Sequence, residues 1–126
     1  MTHALVMFEK DNTHWASGLL HKEARHVFCA VPDERAEAMI VHNLTINGLV
    51  IANECKLDYD LPQFYRSHGI EVWKVPYQPE RRVLLPFLLN SCVGLTKATV
   101  GIQSWAVTPQ QLRRHLARRG DTECFD

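Results

Sequence analysis

Residues 26–56 constrain the fold more than any other part of the chain. Three β-type segments follow one another there: "HVFCAV", "AMIVHNL" and "GLVIANEC". Each is rich in β-branched or aromatic residues, which suit a pleated, half-buried surface. The polar "PDERAE" joins the first two, and the turn signal Asn47-Gly48 introduces the third. Strands in such a central run, with helical segments at both ends of the chain, suggest an antiparallel sheet.

The flanking segments add "HALVMF" and "IEVWKVPY" as strands. Helical spacing marks "THWASGLLH", with Thr13 as cap and Trp15, Leu19 and Leu20 on one face. It also marks "LPQFYRSHG", where Leu61, Phe64 and Tyr65 share a face and Gly69 stops the helix. A short helix from Cys92 to Gly101 and a "TPQQLRRHL" helix complete the set. Thr108 is the expected N-cap of the latter, Pro109 its first residue, and Leu112 and Leu116 its thin apolar face. The order β-α-β-β-β-α-β-α-α predicts an α+β domain on an antiparallel sheet of about five strands.

At 126 residues the chain fits one domain spanning 1–126, long enough to bury a core without staples. Lys+Arg and Asp+Glu both number 14. This balance argues against a protein whose main partner is a nucleic-acid backbone or an anionic membrane. The basic "RRHLARRG" (Arg113, Arg114, Arg118, Arg119) reads first as a solvated helix face. The longest apolar run, "VLLPFLL", is too short to span a bilayer. "MTHALVMFEKD" meets charge at Glu9 before a signal-peptide core develops. The cysteines Cys29, Cys55, Cys92 and Cys124 form no C-x-x-C pair and read as reduced thiols. Host cytoplasm or a virion is the expected setting. No cofactor is expected.

Cys92 stands out because Asn90 or Ser91 would cap its helix and place it in the first turn. First-turn N–H groups carry partial positive charge, which is expected to lower a thiol pKa. Buried cysteines are also common as small hydrophobes. A nucleophile needs a base, and the base an orienting partner. Of seven histidines, His26 is the candidate. With the hairpin centred between Glu34 and Arg35, it falls opposite Asn43, whose carbonyl could fix the imidazole tautomer. A slip of one residue would substitute His42 or Leu44 on the other face. A metal site from Cys92, His26 and His42 lacks motif spacing, and adjacent strand residues point to opposite faces.

The order His, polar residue, Cys resembles a circularly permuted papain-like fold, as in the lecithin:retinol-acyltransferase branch of the NlpC-type peptidase superfamily. The segments "HWASGLLHKEARHVFCAV", "YRSHGIEVWKV", "NSCVGLTKATVGI" and "AVTPQQLRRHL" also resemble small uncharacterised phage and prophage proteins. The resemblance implies a Cys–His hydrolase or acyl-transferase fold. Cys92 would be the nucleophile, His26 the base and Asn43 the orienting group. Asp would be equally expected at the third position, and His42 adjoins it. Asn90 and Ser91 would be oxyanion or accessory residues. A peptide, a peptidoglycan cross-bridge or an acyl ester would be the substrate. The alternative is an inactive phage virion or host-factor-binding protein on the same fold.

Overall fold

The computed structural model describes residues 3–9, 26–45, 48–78 and 92–125. The helix expected at 13–21, the turn residue Asn47, and Asn90 and Ser91 lie outside the described residues.

The described chain is α+β. Strands β1 (His3–Glu9), β2 (His26–Asp33), β3 (Ala38–Thr45) and β4 (Gly48–Lys56) precede helix α1 (Leu61–Arg66) and strand β5 (Glu71–Pro76). Helices α2 (Cys92–Val100) and α3 (Pro109–Arg118) follow, and β6 (Glu123–Cys124) closes the chain. The six strands form one sheet in the order β4-β3-β2-β1-β5-β6, every described pair antiparallel. The two-residue β6 was not legible as a strand, being too short to show a period. It pairs Cys124 with Trp73 at the sheet edge.

Alternation along the strands sorts the core into two layers, since successive side chains point to opposite faces. Ala4, Val6, Phe8, Val27, Cys29, Val31 and Val75 pack with α2 and α3 through Val93, Val100, Leu112 and Leu116. Leu5, Met7, Phe28, Ala30, Met39, Val41 and Val72 pack on the other face with Leu61 and Tyr65 of α1. Phe64 departs from its expected place. The helix is only six residues long, and Phe64 is left exposed, edge-on to Tyr65.

The helix boundaries have local causes. Asp60 caps α1 by accepting from the Gln63 N–H at 3.1 Å, and Gly69 ends the turn that follows at φ 78°. Thr108 caps α3 by accepting from the Gln111 N–H at 3.2 Å, with Pro109 first in the helix. At the end of α2, Gly101 takes φ 91°, and the Gly101 and Ile102 N–H groups both donate to the Lys97 carbonyl. A Cβ at Gly101 would collide with the Gln78 carbonyl oxygen, so the position demands glycine twice over. The Gln78 N–H also donates to the Val100 carbonyl at 2.9 Å, which ties the end of α2 to the chain just past β5.

Candidate functional site

The β2–β3 hairpin determines which side chains can meet. Its turn is one position later than the expected centre between Glu34 and Arg35. Asp33 Oδ1 accepts from the Arg35 and Ala36 N–H groups at 3.0 and 3.2 Å, and Glu37 turns the chain at φ 52°. This Asx-type turn makes 34–37 the loop and pairs Asp33 with Ala38. The ladder then runs through Val31–Ile40 and Ala30–Val41 to Cys29–His42. Continued, that register sets Phe28 across from Asn43, so His26 and Asn43 are diagonal, not directly opposed. A two-residue offset preserves the face, and diagonal neighbours remain within reach of long side chains. The two side chains meet: His26 Nε2–H donates to Asn43 Oδ1 at 2.7 Å.

Beyond Cys29–His42 the described sheet forks. β2 stays with β1, pairing Val27 with Phe8 and His26 with Glu9. β3 stays with β4, pairing Asn43 with Val50 and Leu44 with Leu49. The His26–Asn43 hydrogen bond bridges the mouth of this fork. The imidazole is 6% exposed and lies roughly parallel to the Phe28 ring, with centroids 6.1 Å apart. An amide oxygen can only accept, so the bonded Nε2 carries the proton. In the neutral ring the lone pair then lies on Nδ1.

Cys92 is the first residue of α2, which lies over β2 and β3. Its thiol packs against the α2-side layer, whereas His26 and Asn43 belong to the α1-side face. The polar groups acting on the sulfur are the backbone amides of Val27, Val93 and Cys92 itself. Val27 directly follows His26, so the thiol stands beside the backbone of the base candidate. The expected direction of its pKa is overturned. Burial pushes the Cys92 thiol up, and the three amides only partly oppose that. A short helix contributes a small local field, and desolvation of a thiolate outweighs it. The resting group is a neutral thiol. The structure therefore brings His26 and Asn43 together and sets Cys92 next to Val27. Asn90 and Ser91, the expected oxyanion or accessory residues, lie outside the described residues.

His42 points to the face opposite His26, as alternation requires, and among the described residues no three His, Cys, Asp or Glu side chains cluster as metal ligands. Burial lowers the His42 pKa.

Lys97 belongs to no motif in the sequence, although its spacing from Val93 and Val100 puts it on the buried stripe of α2. It is 1% exposed, and its Nζ donates to the Ser104 and Ala106 carbonyls at 2.9 and 2.7 Å. A lysine at i+4 from a buried valine and i−3 from another was the available signal.

Comparison with known proteins found no matching family model, curated protein or solved structure.

Proposed function

We propose that the protein is a thiol hydrolase or acyl-transferase of the permuted papain-like kind, working on an amide or ester carbonyl of a peptide, peptidoglycan or acyl substrate in a phage setting. The observation that carries this reading is the His26 Nε2–Asn43 Oδ1 bond at 2.7 Å, formed at a fork whose next residue, Val27, offers its amide to Cys92.

The chemistry follows from the tautomer. Asn43 holds the proton on Nε2, so Nδ1 is the basic nitrogen. As Sγ bonds to the substrate carbonyl carbon, its proton passes around the fork to Nδ1 through a bridging water, since the thiol and the imidazole lie on opposite faces of the sheet. The carbonyl π pair moves to oxygen, where the N–H groups of the first turn of α2 stabilise it. When the tetrahedral species collapses, the carbon–leaving-group bond breaks and the His26 proton goes to the leaving atom. Water, deprotonated by the same nitrogen, attacks the thioester and releases acid and thiol. A neutral resting thiol suits this sequence, because the proton moves during attack and no stable thiolate is needed.

The same raised thiol favours a second reading: a virion or host-factor-binding protein that keeps the fold without turnover. One experiment separates the two. The protein is incubated with p-nitrophenyl acetate at pH 7.5, and acylated cysteines are mapped by mass spectrometry. Faster acylation of Cys92 than of the similarly half-buried Cys55 and Cys124, lost in His26→Ala, supports the enzyme. Equal labelling of the three, unchanged in His26→Ala, would overturn it.

A further inference from the structure

A second constellation lies at the other end of α2 and uses none of the residues above. It begins with the cost of Lys97. Burying an ammonium is expensive unless it is well hydrogen-bonded. Here both hydrogen-bonded carbonyls come from residues that flank Trp105. The Ala106 N–H also donates to Ser104 Oγ at 3.0 Å, closing a tight turn around the tryptophan. A rigidly held backbone thus presents an indole that is 71% exposed, the most exposed large apolar residue described. Aromatic side chains ordinarily bury most of their surface, and an exposed one on a fixed backbone suits stacking.

Trp105 edges a cavity of about 460 Å³, which Arg114, His115 and Arg118 of α3 also line. Cavities for small molecules are commonly about 300–1,000 Å³. The three arginines of this helix and Arg119 at its C-cap divide cleanly. Arg113 holds Glu71 through two bonds of 2.6 and 3.1 Å, and Arg119 holds Asp121 through two of 2.8 and 2.6 Å. Arg114 and Arg118, one turn apart on the cavity side, have no carboxylate partner among the described residues. Like charges at i, i+4 destabilise a helix, and an anion between them would relieve that cost. His115 Nε2 is buried without a hydrogen-bond partner among the described residues.

We propose that this cavity binds a phosphate monoester carrying a flat ring, a nucleoside monophosphate in the first instance. The ring stacks on Trp105, and the phosphate is held by the guanidinium groups of Arg114 and Arg118. Arginine forks match phosphate oxygens in pairs, and stacking on an indole tolerates any base. The small volume of this open cavity favours a single nucleotide over a strand, as does a chain with no net charge.

The test is calorimetric titration of the full chain with adenosine 5′-monophosphate, adenosine, inorganic phosphate and a 5′-phosphorylated oligothymidylate. The monophosphate is expected to bind at least tenfold more tightly than adenosine or phosphate. Arg118→Ala and Trp105→Ala should each weaken it tenfold or more with unchanged thermal melts, and Arg118→Lys should recover part of the loss. Arg66→Ala, on another surface, should change nothing. Binding no tighter than that of phosphate would overturn the proposal, as would binding indifferent to Arg118→Ala. Oligothymidylate binding more tightly than the monophosphate would overturn it in favour of a single-strand surface.

Discussion

Two cysteines lie where α2 packs on β2, Cys29 on the strand and Cys92 on the helix, and each stands near the backbone of a hairpin histidine or its neighbour. Cys29 sits where the ladder is closed, paired across the strands with His42. It is fully buried, its Sγ is 4.0 Å from the His42 carbonyl oxygen, and the Thr96 and Thr99 hydroxyls of α2 lie over it. Burial pushes its pKa up to about 12. Cys92 reaches the same strand where the ladder has opened, and it meets three backbone amides. Burial raises its pKa as well, but it is less completely buried than Cys29. The lesson is that a cysteine beside a histidine is not enough. Direct strand pairing saturates the backbone and seals the thiol, whereas the fork leaves amides and a hydrogen-bonded imidazole outside the β2–β3 ladder.

The largest expected effect tests the fork. His26→Ala should slow p-nitrophenyl acetate acylation of Cys92 by about 10²–10⁴-fold, the usual worth of a general base. Asn43→Ala should cost less, because the imidazole remains but loses its fixed tautomer. Release rates of p-nitrophenolate measure both. Loss of rate in Asn43→Ala alone would break the assignment of roles.

The closed ladder predicts a pH effect of similar size. Between the ordinary thiol value of 9.0 and about 12, the unfolded chain ionises Cys29 and the folded chain does not. The folded state therefore binds more protons, and stability falls as pH rises through that window. The loss is on the order of 4 kcal/mol at about 1.4 kcal/mol per unit. Cys29→Ala should flatten the alkaline limb of the stability curve in urea melts. In the native protein, iodoacetamide should label Cys92 before Cys29.

Gly101→Ala probes the helix that both thiols share. Forcing a side chain into φ 91° against the Gln78 carbonyl should destabilise the protein by about 1–3 kcal/mol, measured by urea unfolding. Because α2 carries Cys92 and covers Cys29, both thiols should label faster, Cys29 by the larger factor.

The smallest effect comes from His42. Its folded-state pKa lies below the ordinary 6.5. The unfolded chain takes up the proton first, so stability falls as pH drops from above 6.5 through the folded value. His42→Gln should reduce that loss in thermal melts from pH 8 to 5 and leave Cys92 acylation unchanged. A drop in acylation would shift the base from His26 to His42.

Local rules made much of the fold readable. Thr108-Pro109 starts α3, Gly101 ends α2, and β-branched alternation marks β2, β3 and β4, because each signal is satisfied by neighbours in the chain. The His26–Asn43 contact was also legible, although the hairpin centre was misplaced by one position. The error shifts the register by two residues, which keeps both side chains on one face. Asp33, a strong turn former, was the missed sign of the true centre.

The sequence by itself determined the antiparallel β run, the helix caps and the face that His26 and Asn43 share, since these depend on turn chemistry and a period of two. Only the tertiary structure decided the rest. It opened the ladder beyond Cys29–His42, put Cys92 against the Val27 amide and raised its pKa, and buried Lys97 so that Trp105 stands out beside Arg114 and Arg118. Desolvation and strand separation depend on what packs from elsewhere in the chain. No local spacing encodes how much water a given thiol or ammonium loses.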